Sequence, residues 1–186
     1  SASSVERESL RVFAQTKELV DRYPDDAGVL VTLLLNHVVL AAGEAMFIAA
    51  GVIHAYTSGF GVEIMAASDN VLRAGLTPKY VDIPELLKIT NFTPIPPPLW
   101  AGTPVTDADG IKLAPPVEEF ELVVASIDGE EPMTDDVRPM IVLCLDGELR
   151  VSTQESDEKL HPGEAVFVGD SDGRTQLSGT ARFALA

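Results

Sequence analysis

The sequence predicts a mainly β protein made of two related β-barrel units, with a short amino-terminal helix before them and a short helix plus a proline-rich linker between them. Three observations carry this reading. Runs rich in Val, Leu, Phe and Thr, bounded by Gly, Pro and Asp, recur along the chain at strand length. Residues 40–48 (Leu-Ala-Ala-Gly-Glu-Ala-Met-Phe-Ile) echo residues 160–168 (Leu-His-Pro-Gly-Glu-Ala-Val-Phe-Val), so one turn-then-strand unit is used twice. Sustained helical periodicity is confined to the amino end.

Taken in order, the chain opens with Ser3 and Glu6 at capping-box spacing. Leu10, Phe13, Ala14, Leu19 and Val20 then recur at near-helical spacing among Arg7, Glu8, Arg11, Lys17 and Glu18, which predicts an amphipathic helix over residues 1–22, left from a preceding helical region. Pro24 ends it, because the residue before a proline avoids helical backbone. Residues 29–40 are rich in Val, Leu and Thr and read as a strand, interrupted by Asn36 and His37. His37 reads as a satisfied or solvent-facing histidine. The turn 41–43 leads into a second strand over 44–50, and Gly51 turns the chain towards His54. Residues 83–89 read as a short helix with Pro84 in its first turn. Residues 93–98 (Thr-Pro-Ile-Pro-Pro-Pro) form a stiff linker or strap, after which Trp100 reads as its aromatic anchor on a barrel, with a sugar-stacking platform as the alternative. Strands are expected over 120–127, 140–145, 148–153 and 175–185, with Asp146-Gly147 as a hairpin turn between the second and third. Cys144 reads as a buried, inert thiol and His161 as an exposed turn residue, and the acidic stretches 128–131, 135–136 and 155–158 read as loop tips.

With 186 residues, 46% of them hydrophobic, the chain has room for one ordinary domain or two small ones and can bury a sizeable core. The longest apolar run, 29–42, is broken and too short to span a bilayer, and no basic-plus-apolar leader is visible at the amino end. The single cysteine excludes an intrachain disulfide and fits the cytoplasm. Net charge is −16 and uneven: residues 1–106 carry 11 acidic and 7 basic side chains, residues 107–186 carry 18 and 6. Such a surface disfavours nucleic acid and anionic membrane, both of which are bound through Lys and Arg. A phosphorylated ligand would need a local cationic patch, for which Arg73 and Lys79 are the candidates.

The stretch 54–79 is of a different kind. His54, Tyr56, Glu63, Asp69, Arg73 and Lys79 are interleaved with glycines and with Val62, Ile64 and Met65. A core would not choose those types and a solvated loop would not mix in those apolar residues, so a pocket wall is the simplest account. Glu63 and Met65 alternate with Val62 and Ile64 and so share one strand face, while Tyr56, two residues after His54, shares its side. This stretch resembles the second signature of the type I mannose-6-phosphate isomerases, a zinc-dependent branch of the cupin superfamily. The resemblance runs almost without a gap from His54 through Glu63 to Lys79, with Thr57 a departure, and the flanks from about residue 23 to residue 92 are similar to the family as well.

The resemblance implies cupin-like (jelly-roll) barrels: residues 23–92 as part of the catalytic barrel and 93–186 as a carboxy-terminal barrel. A cupin histidine follows the turn glycine by about ten residues; His54 stands there in the first copy and Arg174 in the second, so the second unit is expected to be metal-free. The implied activity is the interconversion of mannose 6-phosphate and fructose 6-phosphate through an enediol, a zinc ion polarising the carbonyl. His54 matches one of the family's zinc ligands, which are a Gln, two His and a Glu. Arg73 matches its active-site arginine, and Tyr56, Glu63, Asp69 and Lys79 would contact the phosphorylated hexose. For Glu63 and Asp69 an ion pair with Arg73 or Lys79 stays open, as do packing for Tyr56 and a solvated surface charge for Lys79. The remaining ligands would lie upstream. Only about fifty residues precede His54, they hold no Gln-x-His pair, and the first residue is not methionine. The expectation is therefore the carboxy-terminal part of a longer, monomeric isomerase, inactive and at best weakly zinc-binding without its amino-terminal part. A non-catalytic cupin that binds a sugar or sugar phosphate is the first rival. A metal-dependent cupin enzyme such as an oxygenase is the second, disfavoured by the missing second histidine and upstream ligand cluster.

Overall fold

A computed structural model of the chain describes residues 3–68, 70–105, 109–130 and 139–186. In chain order these form helices α1 (Ser4–Arg22) and α2 (Gly28–Thr32), strand β1 (Ala45–Met46), helix α3 (Ile83–Ile89), and strands β2 (Leu99–Trp100), β3 (Thr103–Pro104), β4 (Asp109–Leu113), β5 (Leu122–Glu130), β6 (Met140–Ser152), β7 (Asp157–Leu160), β8 (Ala165–Val168) and β9 (Gln176–Leu185). The chain divides into two compact units, one of Ser1–Leu40, Met46–Gly59 and Ala67–Pro98, the other of Ala41–Ala45, Phe60–Ala66 and Leu99–Ala186. The expected division at residue 92 is thus drawn differently: residues 41–45 and 60–66 go with the carboxy-terminal strands.

The first unit, as described, is helical and irregular. Helix α1 starts as its sequence dictates, with the Ser3 hydroxyl accepting from Glu6 N–H and the Glu6 carboxylate accepting from Ser3 N–H. Its half-buried side is Val12, Gln15, Thr16 and Leu19, whereas Leu10 and Phe13 of the expected apolar stripe are 66% and 64% exposed. The strand expected over 29–40 is absent; α2 and irregular backbone take its place. Val29, Val31 and Thr32 favour strands only where a neighbouring strand supplies the ladder. Here the Asp26 carboxylate caps the Gly28 N–H and Thr32 Oγ1 donates to Val29 O, so the local bonds close a helical turn instead. His37 is half-buried and donates from Nε2 to Gln15 Oε1, a satisfied histidine on that nitrogen. Asp82 caps α3 through Glu85 N–H, with Pro84 in the first turn.

The strand expected over 44–50 shrinks to β1, whose partner is β2. Phe47 N–H finds Pro98 O at 3.1 Å, but Pro96, Pro97 and Pro98 have no N–H to return, so the ladder stops there.

The second unit carries an antiparallel sheet in the order β3-β4-β5-β9-β6-β7, with β8 also on β6. Alternation assigns its two faces to two apolar clusters. Ala125, Ile127, Val142, Cys144, Leu149, Val151 and Phe183 fill one, Leu149 and Val142 being fully buried. Leu113, Leu122 and Ala184 centre the other, with Leu143, Leu145 and Trp100 packed against them, which gives Trp100 the anchoring role. Cys144 is buried, and burial pushes its thiol pKa up, as befits an inert side chain. His161 is exposed. Residues 135–136 and Glu131 lie outside the described residues.

Asp146-Gly147 is not a hairpin turn. Strand β6 runs through it without a break, and β9 pairs with both halves, stepping from Cys144↔Phe183 to Asp146↔Arg182. The register shift between Cys144 and Asp146 is a bulge at Leu145, with Gly147 at φ 79° two residues on and paired with Ala181; β8 pairs with 140–143 and β7 with 149–152 on the same edge. The positive φ was legible; its use was not.

The sequence echo is an echo of geometry as well. Gly43 and Gly163 both have φ 87°. Glu44 N–H donates to Ala41 O at 3.0 Å and its carboxylate accepts from Ala41 N–H at 2.7 Å; Glu164 and His161 repeat this at 2.9 and 2.8 Å.

On the exposed edge of β6 and β7, Arg150 grips Asp157 with two N–H groups and Ser152 Oγ adds a third bond, which holds the Asp157 carboxyl at about 2. Its ordinary value is near 3.8, so the folded form is favoured above that pH and loses this contribution as pH falls through about 2. Arg150→Ala is expected to return Asp157 towards the ordinary carboxylate range, read from its carboxyl carbon shift in an NMR titration.

Candidate active-site segment

The approach to His54 is set by Gly51. Its φ of 80° suits glycine, its carbonyl accepts from Asn91 N–H at 2.8 Å, and a Cβ there would lie 2.7 Å from Ile89 O at the end of α3. His54 itself is exposed, and its Nδ1 is 2.9 Å from Val52 O. A carbonyl only accepts, so Nδ1 carries the proton and Nε2 presents a lone pair, the form in which a histidine binds a metal while its other nitrogen is oriented by backbone. The Tyr56 ring meets the His54 ring edge-on at 5.9 Å, further restricting the imidazole. Those two expected site residues are brought together.

Glu63 belongs to the second unit. Residues 60–66 alternate there: Val62 and Ile64 are half-buried against Leu113, Leu122 and Ala184, and Glu63 and Met65 are exposed. The sheet face therefore fixes which way Glu63 points, away from that apolar cluster. Asp69 lies outside the described residues. Arg73 and Lys79, both exposed, stand at the two ends of one loop of the first unit, in which Thr77 Oγ1 accepts from Lys79 N–H at 3.1 Å. Arg174, at the place of His54 in the second copy, is exposed just before β9.

Reading the sequence missed Asp26. Its carboxylate accepts from Gly28 N–H and, across fifty residues, from Leu76 N–H, in the loop between Arg73 and Lys79. Nothing local signals this, although Asp-Asp ahead of an apolar run hints at a capping carboxylate.

For zinc, the metal implied by the resemblance, the exposed His54 with Nδ1 on Val52 O has the form of one nitrogen donor. Among the described residues no group of three His, Cys, Asp or Glu side chains could hold a metal ion. No helix among them is long and apolar enough to cross a membrane.

Comparison with known proteins gives a consistent answer. Residues 111–186 match the family model of the mannose-6-phosphate isomerase cupin domain. The chain is 41% identical to the mannose-6-phosphate isomerase of Salmonella typhimurium over 162 residues, which is 87% of this chain and 41% of that protein. It is 37% identical to the Escherichia coli enzyme over 171 residues, 91% of this chain and 44% of that protein. The crystal structure of the Salmonella typhimurium enzyme bound to its substrate and a zinc atom superposes with a TM-score of 0.75 at 37% identity, covering 92% of this chain and 44% of that one. The chain thus spans about two-fifths of the length of the curated relatives it matches.

Proposed function

We propose that this chain, a mannose-6-phosphate isomerase relative that carries the family's cupin domain at residues 111–186, is the carboxy-terminal part of a zinc-dependent enzyme interconverting mannose 6-phosphate and fructose 6-phosphate. The observation that carries the reading is the 41% identity to the Salmonella typhimurium isomerase over 87% of the chain. His54, with Nδ1 committed to Val52 O, would give zinc one nitrogen through Nε2. The remaining donors would come from an amino-terminal part of the same enzyme. Large apolar side chains left exposed on α1 and α3, among them Val5, Leu10, Phe13, Ile83 and Leu87, support such a covering partner.

When bound, zinc would polarise the sugar carbonyl and stabilise the charge that develops on its oxygen. This chain's own residues would hold the substrate and its developing charge. The Arg73 guanidinium carries a fixed positive charge to the enediolate, a task that needs no proton movement. Glu63 accepts, and Tyr56 donates or accepts, hydrogen bonds from sugar hydroxyls. Lys79 offers the phosphate a local cation in a chain whose net charge is −16, and Asp69 is a further contact to the sugar. The carboxy-terminal barrel holds no metal in this reading. The enzyme works in the cytoplasm as a monomer, on phosphorylated hexoses rather than nucleic acid or membrane.

The test is a coupled isomerase assay of the longer enzyme and of the 186 residues alone, each with zinc and with chelator. Turnover by the longer enzyme that chelator abolishes, with none from the chain alone, is expected. Turnover by the isolated chain would overturn the reading. Metal-free binding of a sugar phosphate by that chain, with no turnover in either form, would favour a non-catalytic cupin.

A further inference from the structure

Both oxygens of the half-buried Asp26 carboxylate are committed to backbone: Oδ1 accepts from Gly28 N–H at 2.7 Å and Oδ2 from Leu76 N–H at 2.8 Å. The second bond enters the turn that follows Arg73. That turn is not one the chain adopts freely, since Gly75 has φ 147° and Leu76, a side-chain-bearing residue, has φ 54°. Left-handed backbone at a leucine persists only where the surroundings over-determine it. The surroundings here are one carboxylate and a back-to-back approach of two glycines. A Cβ on Gly75 would lie 3.1 Å from Asp26 Oδ1 and 3.2 Å from Gly28 Cα, and one on Gly28 would lie 2.8 Å from the same oxygen and 3.3 Å from Gly75 Cα.

We infer that Asp26 is a positioning residue for Arg73: by pinning the Gly75–Leu76 turn it fixes the backbone from which the guanidinium projects. This deepens the isomerase reading and rests on it for the role of Arg73. A carboxylate suits the task because it is acceptor-only, with lone pairs for two N–H groups at once. An amide keeps one acceptor oxygen and turns an NH₂ towards the other N–H.

The test has two arms, each with Asp26→Ala and the near-isosteric Asp26→Asn. In the full 186-residue chain, hydrogen exchange of the Leu76 amide should accelerate about ten- to a hundredfold in Asp26→Ala, the loss of a charge-assisted bond, and less in Asp26→Asn. The Cys144 and Leu149 amides should be unchanged. In the longer isomerase, kcat should fall about ten- to a hundredfold in Asp26→Ala with KM nearly unmoved, because a misplaced group is felt in the transition state, and Asp26→Asn should fall between. Unchanged Leu76 exchange overturns the inference, as does faster exchange with wild-type kcat. Equal acceleration at Cys144 and Leu149 in both variants would make Asp26 merely structural and overturns it too. If the unaltered longer enzyme has no isomerase activity, the proposed function fails, and the exchange arm by itself decides whether Asp26 pins the turn.

Discussion

His54→Ala in the longer isomerase is expected to strip zinc and, with it, turnover. The imidazole is presented with Nδ1 donating to Val52 O and with the Tyr56 ring against its edge, so Nε2 is the atom a cation would meet. Losing partners of a metal-binding histidine costs about 10–100-fold in metal affinity, and losing the donor itself should cost at least that. Metal content after gel filtration, measured by atomic absorption, checks the binding half independently of the assay. Retention of one zinc per chain with normal turnover would remove His54 from the site. Tyr56→Phe keeps the ring contact and so separates orientation of the imidazole from any bond to sugar.

The largest loss of stability is expected at Gly147. A Cβ there would sit 2.1 Å from Thr180 O, and its φ of 79° is one that L residues avoid. The backbone carbonyl cannot swing away without breaking the β6–β9 ladder. Gly147→Ala should therefore cost about 3 kcal/mol or more, the left-handed penalty plus overpacking against backbone. Gly163 isolates the first part: its φ is 87° but nothing lies within 4 Å of its Cβ position, so Gly163→Ala should cost only about 1–2 kcal/mol. Urea midpoints of the two variants give the comparison, and equal midpoints would refute the clash.

These sites also mark how far the sequence could be read. Local chemistry was legible: the Ser3–Glu6 capping box, the Asp82 and Pro84 start of α3, and the twin turns at Gly43 and Gly163 all close within a few residues. Choices that depend on a distant partner were not. Residues 29–40 have strand composition, yet among the described residues no strand pairs with them, and Asp26 takes the Gly28 N–H on its carboxylate and the Val29 N–H on its carbonyl. Asp146-Gly147 has hairpin composition, yet β9 continues past it and pairs with both residues, after a bulge between Cys144 and Asp146. In the candidate site, residue types pointed to His54, Tyr56, Glu63 and Arg73. The support beneath them was invisible, because Asp26 meets Leu76 only when the chain is folded and Val62 and Ile64 owe their direction to a sheet formed much later in the sequence.

The chain passes from one unit to the other five times, after residues 40, 45, 59, 66 and 98. No single cut can therefore release either unit whole. A fragment of residues 99–186 would leave Leu113, Leu122 and Ala184 without Ala45, Val62 and Ile64, and one beginning at residue 111 would also forfeit Trp100. Any attempt to dissect this polypeptide, or to transplant its carboxy-terminal sheet into another protein, has to carry residues 41–45 and 60–66 along with it.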